Sequence, residues 1–496
     1  MAGASLTATI LARLGERPEA VALLWDDRTW SFSDLDRWSA AVASGLSAHD
    51  VGAGDRVIVG LPNSPELLAT VLGVLRRGAV LVPLNPLCTS AEAAYIAGDA
   101  DAALVITHPE QARALAGTVA TPIVTELPSS SAPSPDPELS GGDPALIIYT
   151  SGTTGRPKGA VLSHGALVAN LSTVAAAWEW TPDDRLLLTL PCFHLHGLGL
   201  GVLGSFIVGA SIALRPRFVA EEIPALLARH HCTMFFGVPT MYNRLVALPD
   251  AAIASVNLGR MRLWVSGSAP LTAATFDRFR ARFGHALLDR YGMSECGFVI
   301  SAPYARPRRA GVVGLPLPGI DLRLVDTDRA DHGELITVPP GEIGEIIVRG
   351  PNLFSGYWRR PEESRQAFLG EFLRSGDLAL MEADGMIRIV GRRSVDIIKS
   401  RGFKIGAVEI ENALQAHPAV AEVAVVGVPD SDLGEAVVAV VSLAEGATAS
   451  AEALRAFARE HLAPHKVPSR FVFVDEIPRT GPGKFKKREI IERLSD

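Results

Sequence analysis

The densest concentration of chemistry in the chain is the run Tyr149-Thr150-Ser151-Gly152-Thr153-Thr154-Gly155-Arg156-Pro157-Lys158-Gly159, which closes the apolar segment Ala145–Tyr149. Hydroxyls and unhindered backbone N–H groups crowd one turn, glycines let the main chain approach a ligand closely, and a lysine adds a cation. That combination points to a polyphosphate ligand. It is not a Walker loop, which needs glycine before its lysine and Ser or Thr after it, whereas Pro157 and Gly159 flank Lys158. A polar, glycine-rich surface loop is the plain alternative.

Further residues stand where a reacting molecule could use them. Lys484 lies in the Gly/Pro-rich run Pro478-Arg479-Thr480-Gly481-Pro482-Gly483-Lys484, where a lysine ordinarily faces solvent. Asp377 follows Ser375-Gly376, a sequence equally suited to a turn. His194 sits in an apolar run, where a histidine is as readily a satisfied core residue as an acid or base. Arg244 and Arg290 each offer a planar fork that matches a carboxylate, or else a helix cap and a surface ion pair. Cys88, Cys192, Cys232 and Cys296 are far apart and form no CxxC pair, so neither a disulfide framework nor a zinc site is expected. A reducing cytoplasm fits that usage.

A large scaffold must position these groups. At about 100–200 residues per domain, 496 residues make two to four domains. Apolar residues are 48% and charged residues 20%, ordinary globular usage that can bury a sizeable core. A net charge of −7 supplies no basic field for a nucleic-acid backbone. The N-terminus has no basic segment followed by a sustained apolar one, so no secretory signal is expected. Leu186–Leu214 carries no charged side chain and is long enough to span a bilayer, but Pro191, two histidines and five glycines interrupt it. A buried strand, a loop and a glycine-rich core helix are expected there, and no membrane partner.

The runs 56–62, 79–84, 102–107 and 145–149 are short, rich in Val and Ile, and bounded by Gly, Pro or Asp, which predicts strands. Helical patterns at Pro65–Arg77 and Ser90–Ala97 alternate with them, which predicts an α/β fold with parallel sheets covered on both faces. Residues 127–143, dense in Pro, Ser and Gly, read as a surface connection. From about Glu342 shorter β-rich pieces take over. Beyond 395, helices at 407–415 and 451–462 and strands at 420–426, 436–442 and 469–474 predict a small α+β domain. Lys486, Lys487 and Arg488 read as the solvated face of a last helix.

The phosphate-loop segment resembles the signature of the AMP-forming adenylate synthetases, the superfamily of acyl-CoA synthetases, luciferases and peptide-synthetase adenylation domains. Matching segments recur in order: Leu190-Pro191-Cys192-Phe193-His194, Gly237-Val238-Pro239-Thr240, Ser266-Gly267-Ser268-Ala269-Pro270-Leu271, Tyr291-Gly292-Met293-Ser294-Glu295, Ser375-Gly376-Asp377, Gly391-Arg392 and the Lys484 loop. The resemblance implies a body of residues 1–391, a hinge at 392–396 and a mobile C-terminal domain of 397–496. It implies a carboxylate joined to the α-phosphate of ATP with release of pyrophosphate, then passed to the thiol of coenzyme A.

By the same resemblance ATP meets Thr150, Ser151, Gly152, Thr153, Thr154, Gly155, Ser268, Ala269, Tyr291, Ser294, Asp377 and Arg392. Asp377 takes the ribose hydroxyls, and Glu295 with Thr150 holds Mg²⁺. Lys158 serves the β,γ-phosphates and Lys484 the adenylation step, while Asp396, Lys399 and Gly402 belong to the hinge and the loop that faces coenzyme A. Ser294 stands where the family usually has threonine, and the hydroxyl survives.

On the acid side the resemblance places His194, Ser266, Gly267, Phe298, Arg244 and Arg290. Many fatty-acid and aromatic-acid relatives carry an uncharged residue in place of Arg290. A pair of arginines would hold the distal carboxylate of a short diacid, and the chain is similar here to malonyl-CoA synthetases, which makes malonate or methylmalonate the leading acid. The run Cys296-Gly297-Phe298-Val299-Ile300 departs from that pattern by being more apolar. It keeps open an aromatic or aliphatic monocarboxylate, an acceptor other than coenzyme A, or nucleotide binding without turnover.

Overall fold

A computed structural model describes residues 3–127, 129–130, 136–150, 157–254, 256–393, 396–400, 403–430, 433–479 and 485–495. Two large sheets form the body. In one, the neighbouring strands Ile123–Val124, Ala102–Thr107, Arg56–Gly60, Val80–Pro83 and Pro144–Thr150 are all parallel. Lys158–Ser163 follows as an antiparallel hairpin partner of Pro144–Thr150, and Gly356–Tyr357 pairs antiparallel with it at the edge. In the other, Leu288–Met293, Leu263–Ser266, Met234–Gly237, Arg185–Leu188, Ser211–Leu214 and Val21–Trp25 run parallel, with antiparallel strands at both edges.

Strand periodicity explains why both sheets are covered on two faces. Successive side chains point to opposite sides, so Val57 and Val59 enter the central core while Ile58 between them enters an outer cluster. Leu186 and Leu188 likewise face the centre and Leu187 the outer layer beside Phe235 and Trp264. Helices fill the space between the sheets. Pro65–Arg76 begins on the Ser64 cap with proline in its first turn, and Phe32–Ser47 on a Ser31/Asp34 capping box. They pack so closely that a Cβ on Gly73 would lie 2.5 Å from Val42.

The uncharged segment resolves as expected into strand Arg185–Leu188, a loop, a buried glycine-rich helix and strand Ser211–Leu214. The helix His196–Leu203 is a π-helix, the wide-turned form often found at functional sites. No helix among the described residues is long and apolar enough to cross a membrane.

After residue 320 the chain builds a smaller antiparallel sheet from Asp321–Val325, Ile343–Arg349, Phe372–Met381 and Ile387–Arg392. The last sheet belongs to the C-terminal domain. Val423 and Val425 face helices Ala407–Gln415 and Ala451–His461, while Ala424, Val426 and Val428 face the final helix Lys487–Ser495. The hairpin Ile397–Ser400/Phe403–Gly406, read from sequence only as hinge and loop, is the edge of this sheet.

One expectation is reversed here. Lys487 is not on a solvated face but is 8% exposed, because it shares a helical side with Ile490, Ile491 and Leu494, which pack against the sheet.

Candidate active site

The phosphate hairpin sets Thr150 directly opposite Lys158. Its two ends are tied to one helix, Ser90–Ala100: Tyr149 Oη donates to Asp99 at 2.8 Å, and Tyr95 Oη donates to the Pro157 carbonyl at 2.9 Å. Asp99 also receives Arg360. Ser151, Gly152, Thr153, Thr154 and Gly155, with Gly402 and Lys484, lie outside the described residues. The Lys158 ammonium sits 5.4 Å from the centre of the Tyr357 ring, and Tyr357 Oη donates to Glu295 Oε1 at 3.0 Å. Burial, then the Glu295 charge, pushes the Tyr357 phenol above its usual range.

Glu295 is buried, yet that carboxylate retains lone pairs beyond the one Tyr357 occupies. Magnesium takes oxygen ligands and is commonly held by one or two carboxylates together with substrate phosphates. Glu295 and the Thr150 hydroxyl fit that donor chemistry; bound there, the ion would offset phosphate charge. Ser294, half-buried, precedes Glu295 in the turn after strand Leu288–Met293.

A second cluster joins three segments. Cross-strand register sets Asp377 opposite Arg392, and Arg392 Nε donates to Asp377 Oδ1 at 2.9 Å while Tyr291 Oη donates to Oδ2 at 2.6 Å. The Asp377 charge outweighs burial and raises the Arg392 guanidinium, and burial with that same charge pushes the Tyr291 phenol well up. The carboxylate is thus fixed by two donors with capacity left to accept from sugar hydroxyls.

The third cluster centres on Arg290, which is 5% exposed. Its guanidinium lies 4.8 Å from the centre of the Phe298 ring and donates to Ser268 Oγ at 3.3 Å, and its Nε finds no partner among the described residues. Gly267 makes the room: a Cβ there would lie 2.5 Å from the Arg290 Cζ. Ser268 adopts a left-handed backbone, φ 67°, costly for a non-glycine residue and common at functional sites. Its hydroxyl meets His196 Nδ1 at 3.2 Å, and burial, helped by Arg290, drives His196 well below its usual pKa, so the ring is neutral. Ser266 is fully buried beside Gly267, and Ala269 and His194 are half-buried at the same edge. Asn170, which sequence reasoning missed, braces Phe298 by accepting from its N–H at 3.0 Å and donating to its carbonyl at 2.7 Å.

Burial lowers Arg290 to about 10 and raises the adjacent Asp289 carboxyl to about 8. Neighbours on one strand point to opposite faces, and no ion pair joins these two among the described residues. Of the two arginines expected as a pair, only Arg290 is buried. Arg244 stands exposed on helix Pro239–Val246, whose buried side is Tyr242 and Leu245, and it lines an outer depression with Arg217 and Glu221. Tyr95, Asp99 and Tyr357 are further residues that sequence reasoning missed; their signal is spatial, since each reaches the site from a distant segment.

A large, parallel-rich α/β body with a smaller C-terminal α+β domain is the architecture of the adenylate-forming enzymes. The AMP-binding enzyme model matches residues 11–358 and the AMP-binding enzyme C-terminal domain model residues 409–484. The chain belongs to this family and is an AMP-forming acid–CoA ligase, using ATP, Mg²⁺ and coenzyme A. It is 38% identical over 454 residues to the mitochondrial malonate–CoA ligase of Mus musculus, covering 84% of this chain and 78% of that one. It is 36% identical over 483 residues to a feruloyl-CoA synthase of Amycolatopsis sp, covering 96% of each. Among solved structures it matches ATP-bound MatB from Rhodopseudomonas palustris with a TM-score of 0.90, at 36% identity and 99% coverage of both chains.

Proposed function

We propose that the acid is malonate or methylmalonate. The observation that carries this reading is the buried, incompletely partnered Arg290 guanidinium over Phe298. A cation removed from water needs an anionic partner, and the distal carboxylate of a short diacid supplies one. The similarity to malonate–CoA ligases supports it.

In this reading the near carboxylate attacks the α-phosphorus of ATP and pyrophosphate leaves. The coenzyme A thiol then attacks the acyl carbon, giving the thioester and AMP. Lys158 and the hydroxyl loop take the β,γ-phosphates, Glu295 and Thr150 the magnesium, Asp377 the ribose, and Lys484 the charge developing during adenylation. Residues 392–396 serve as the hinge between the body, 1–391, and a mobile domain, 397–496. For location we propose the cytoplasm, supported by free thiols at all four cysteines.

A second reading has a specific observation behind it. Phe298 and Ile300, two residues apart on strand Gly297–Ser301, are both buried, an apolar surface suited to an aromatic acid, and one relative is a feruloyl-CoA synthase. Carboxylate-dependent pyrophosphate release, measured with malonate, methylmalonate, acetate, a medium-chain fatty acid and cinnamate, with and without coenzyme A, separates the two. Release with malonates alone supports the diacid; preference for cinnamate or the fatty acid overturns it.

A further inference from the structure

Asp396 lies at the seam between the domains, and its carboxylate is divided between them. Oδ2 accepts the Arg392 N–H at 2.8 Å, at the end of the strand whose side chain holds Asp377. Oδ1 accepts the Lys487 ammonium from the last helix. Lys487 also reaches Glu411 Oε1 at 2.6 Å, and the same Glu411 oxygen accepts the Val425 N–H at 2.7 Å in strand Val420–Asp430 of the small domain. The backbone is built for the contact: Asp396 folds back until a Cβ on Gly391, φ 146°, would lie 2.5 Å from its own Cβ.

Two carboxylates and one ammonium make this cluster, and their side-chain contacts named here run to Arg392, to Val425 and to one another. Burial disfavours the Lys487 charge, but Glu411 and Asp396 together more than offset it. Remove the lysine and two sequestered carboxylates face each other without a cation. The line of contacts runs unbroken from Tyr291 through Asp377, Arg392 and Asp396 to Lys487 and the small domain. Lys487 is also three residues after Lys484 in the chain.

We propose that Lys487 is a positioning residue: by holding the Asp396 carboxylate it latches the small domain onto the body in the arrangement where Arg392 engages Asp377, the one that serves adenylation. The latch itself rests on the contacts above, and only its kinetic consequence rests on the acid–CoA ligase reading.

Limited trypsin digestion of the full-length protein tests the latch without any substrate. Lys487→Met is expected to raise nicking after Arg392 and Arg393 about tenfold, and Lys487→Arg to restore the native rate, because an uncompensated buried carboxylate pair loosens its surroundings. Unchanged nicking in Lys487→Met overturns the proposal. If that variant does not fold, Asp396→Asn, which keeps the side-chain shape, must give the same rise, and no rise overturns it equally.

The kinetic arm compares the half-reactions. Pyrophosphate–ATP exchange is expected to fall about 30-fold in Lys487→Met through kcat rather than the KM for ATP, since small misplacements of a reacting group cost factors of this size. Conversion of preformed acyl-adenylate to thioester changes less than about threefold, because that step does not use the latched arrangement. Equal losses in both half-reactions, unrelieved by Lys487→Arg, would make the lysine merely structural. Failure of the ligase reading shows instead in the wild type, as no exchange with any acid, and leaves the proteolysis result to judge the latch.

Discussion

The Asp377 cluster and the Arg290 cluster, proposed as the nucleotide side and the acid side of the site, are built on opposite electrostatic plans. Around Asp377 every charge has an answering group: Arg392 and Tyr291 donate to the two oxygens at 2.9 and 2.6 Å. Around Arg290 the answer is incomplete, with one hydroxyl at 3.3 Å, an aromatic face and an unpartnered Nε. A paired cluster is preorganised for a ligand part that never varies, the ribose in the proposed function. An unpaired buried cation waits for the ligand to complete it, which is how a pocket selects by charge.

The sharpest way to break this contrast is Asp377→Ala, which leaves Arg392 and Tyr291 without their acceptor. Loss of a buried, hydrogen-bonded charge partner costs about 3–5 kcal/mol, so kcat/KM for ATP is expected to fall about 10²–10³-fold, and to the same extent with every acid. Acid-dependent losses would mean that Asp377 serves the acyl pocket. Arg290→Met comes next. Its loss should weaken a diacid by about 2–4 kcal/mol, while acetate changes by less than half a log unit; equal effects on both acids would show that Arg290 supports the fold and not the substrate.

Gly267→Ala probes the same cation without removing it. The added methyl displaces the end of a flexible side chain, so a rise of about tenfold in the KM for malonate is expected, with kcat for acetate unchanged. A malonate KM that does not move would place the guanidinium elsewhere when substrate is bound.

The smallest effect is a titration. Burial raises Asp289 to about 8 beside Arg290, so below that pH the carboxyl is neutral and the guanidinium is free for substrate. Above it the new anion, though not paired with Arg290, weakens through space the positive field that a substrate carboxylate meets. The KM for malonate should therefore rise about threefold as pH passes upward through 8, by the Coulomb coupling of neighbouring groups, and Asp289→Asn should flatten the profile. A profile unchanged by that substitution assigns the titration to another group.

Much of this molecule is written locally. Strands at 102–107 and 145–149 and the helix at 407–415 follow from β-branched runs and apolar spacing, because each segment has one obvious buried face. The candidate phosphate segment is legible for the same reason, as hydroxyls and glycines collected in one short run of sequence. The charge run Lys486-Lys487-Arg488 suggests a solvated face, yet the apolar spacing from Lys487 to Ile490, Ile491 and Leu494 marks its side as buried. Arg244 and Arg290 look equivalent as letters; only the helix face turned outward and the strand side turned inward tell them apart. Tyr357, Asn170 and Asp99 were unreadable, since each acts across more than 45 residues of sequence.

The uncharged segment Leu186–Leu214 has a further consequence, in the making of the protein. Its strand Arg185–Leu188 pairs with Met234–Gly237, which is paired in turn by Leu263–Ser266, and both partners are synthesised later. A growing chain therefore leaves the ribosome with its most apolar stretch finished and the sheet that buries it incomplete. During that interval its apolar side chains lack the cover of those two strands, the kind of transient exposure that makes a folding chain prone to aggregate.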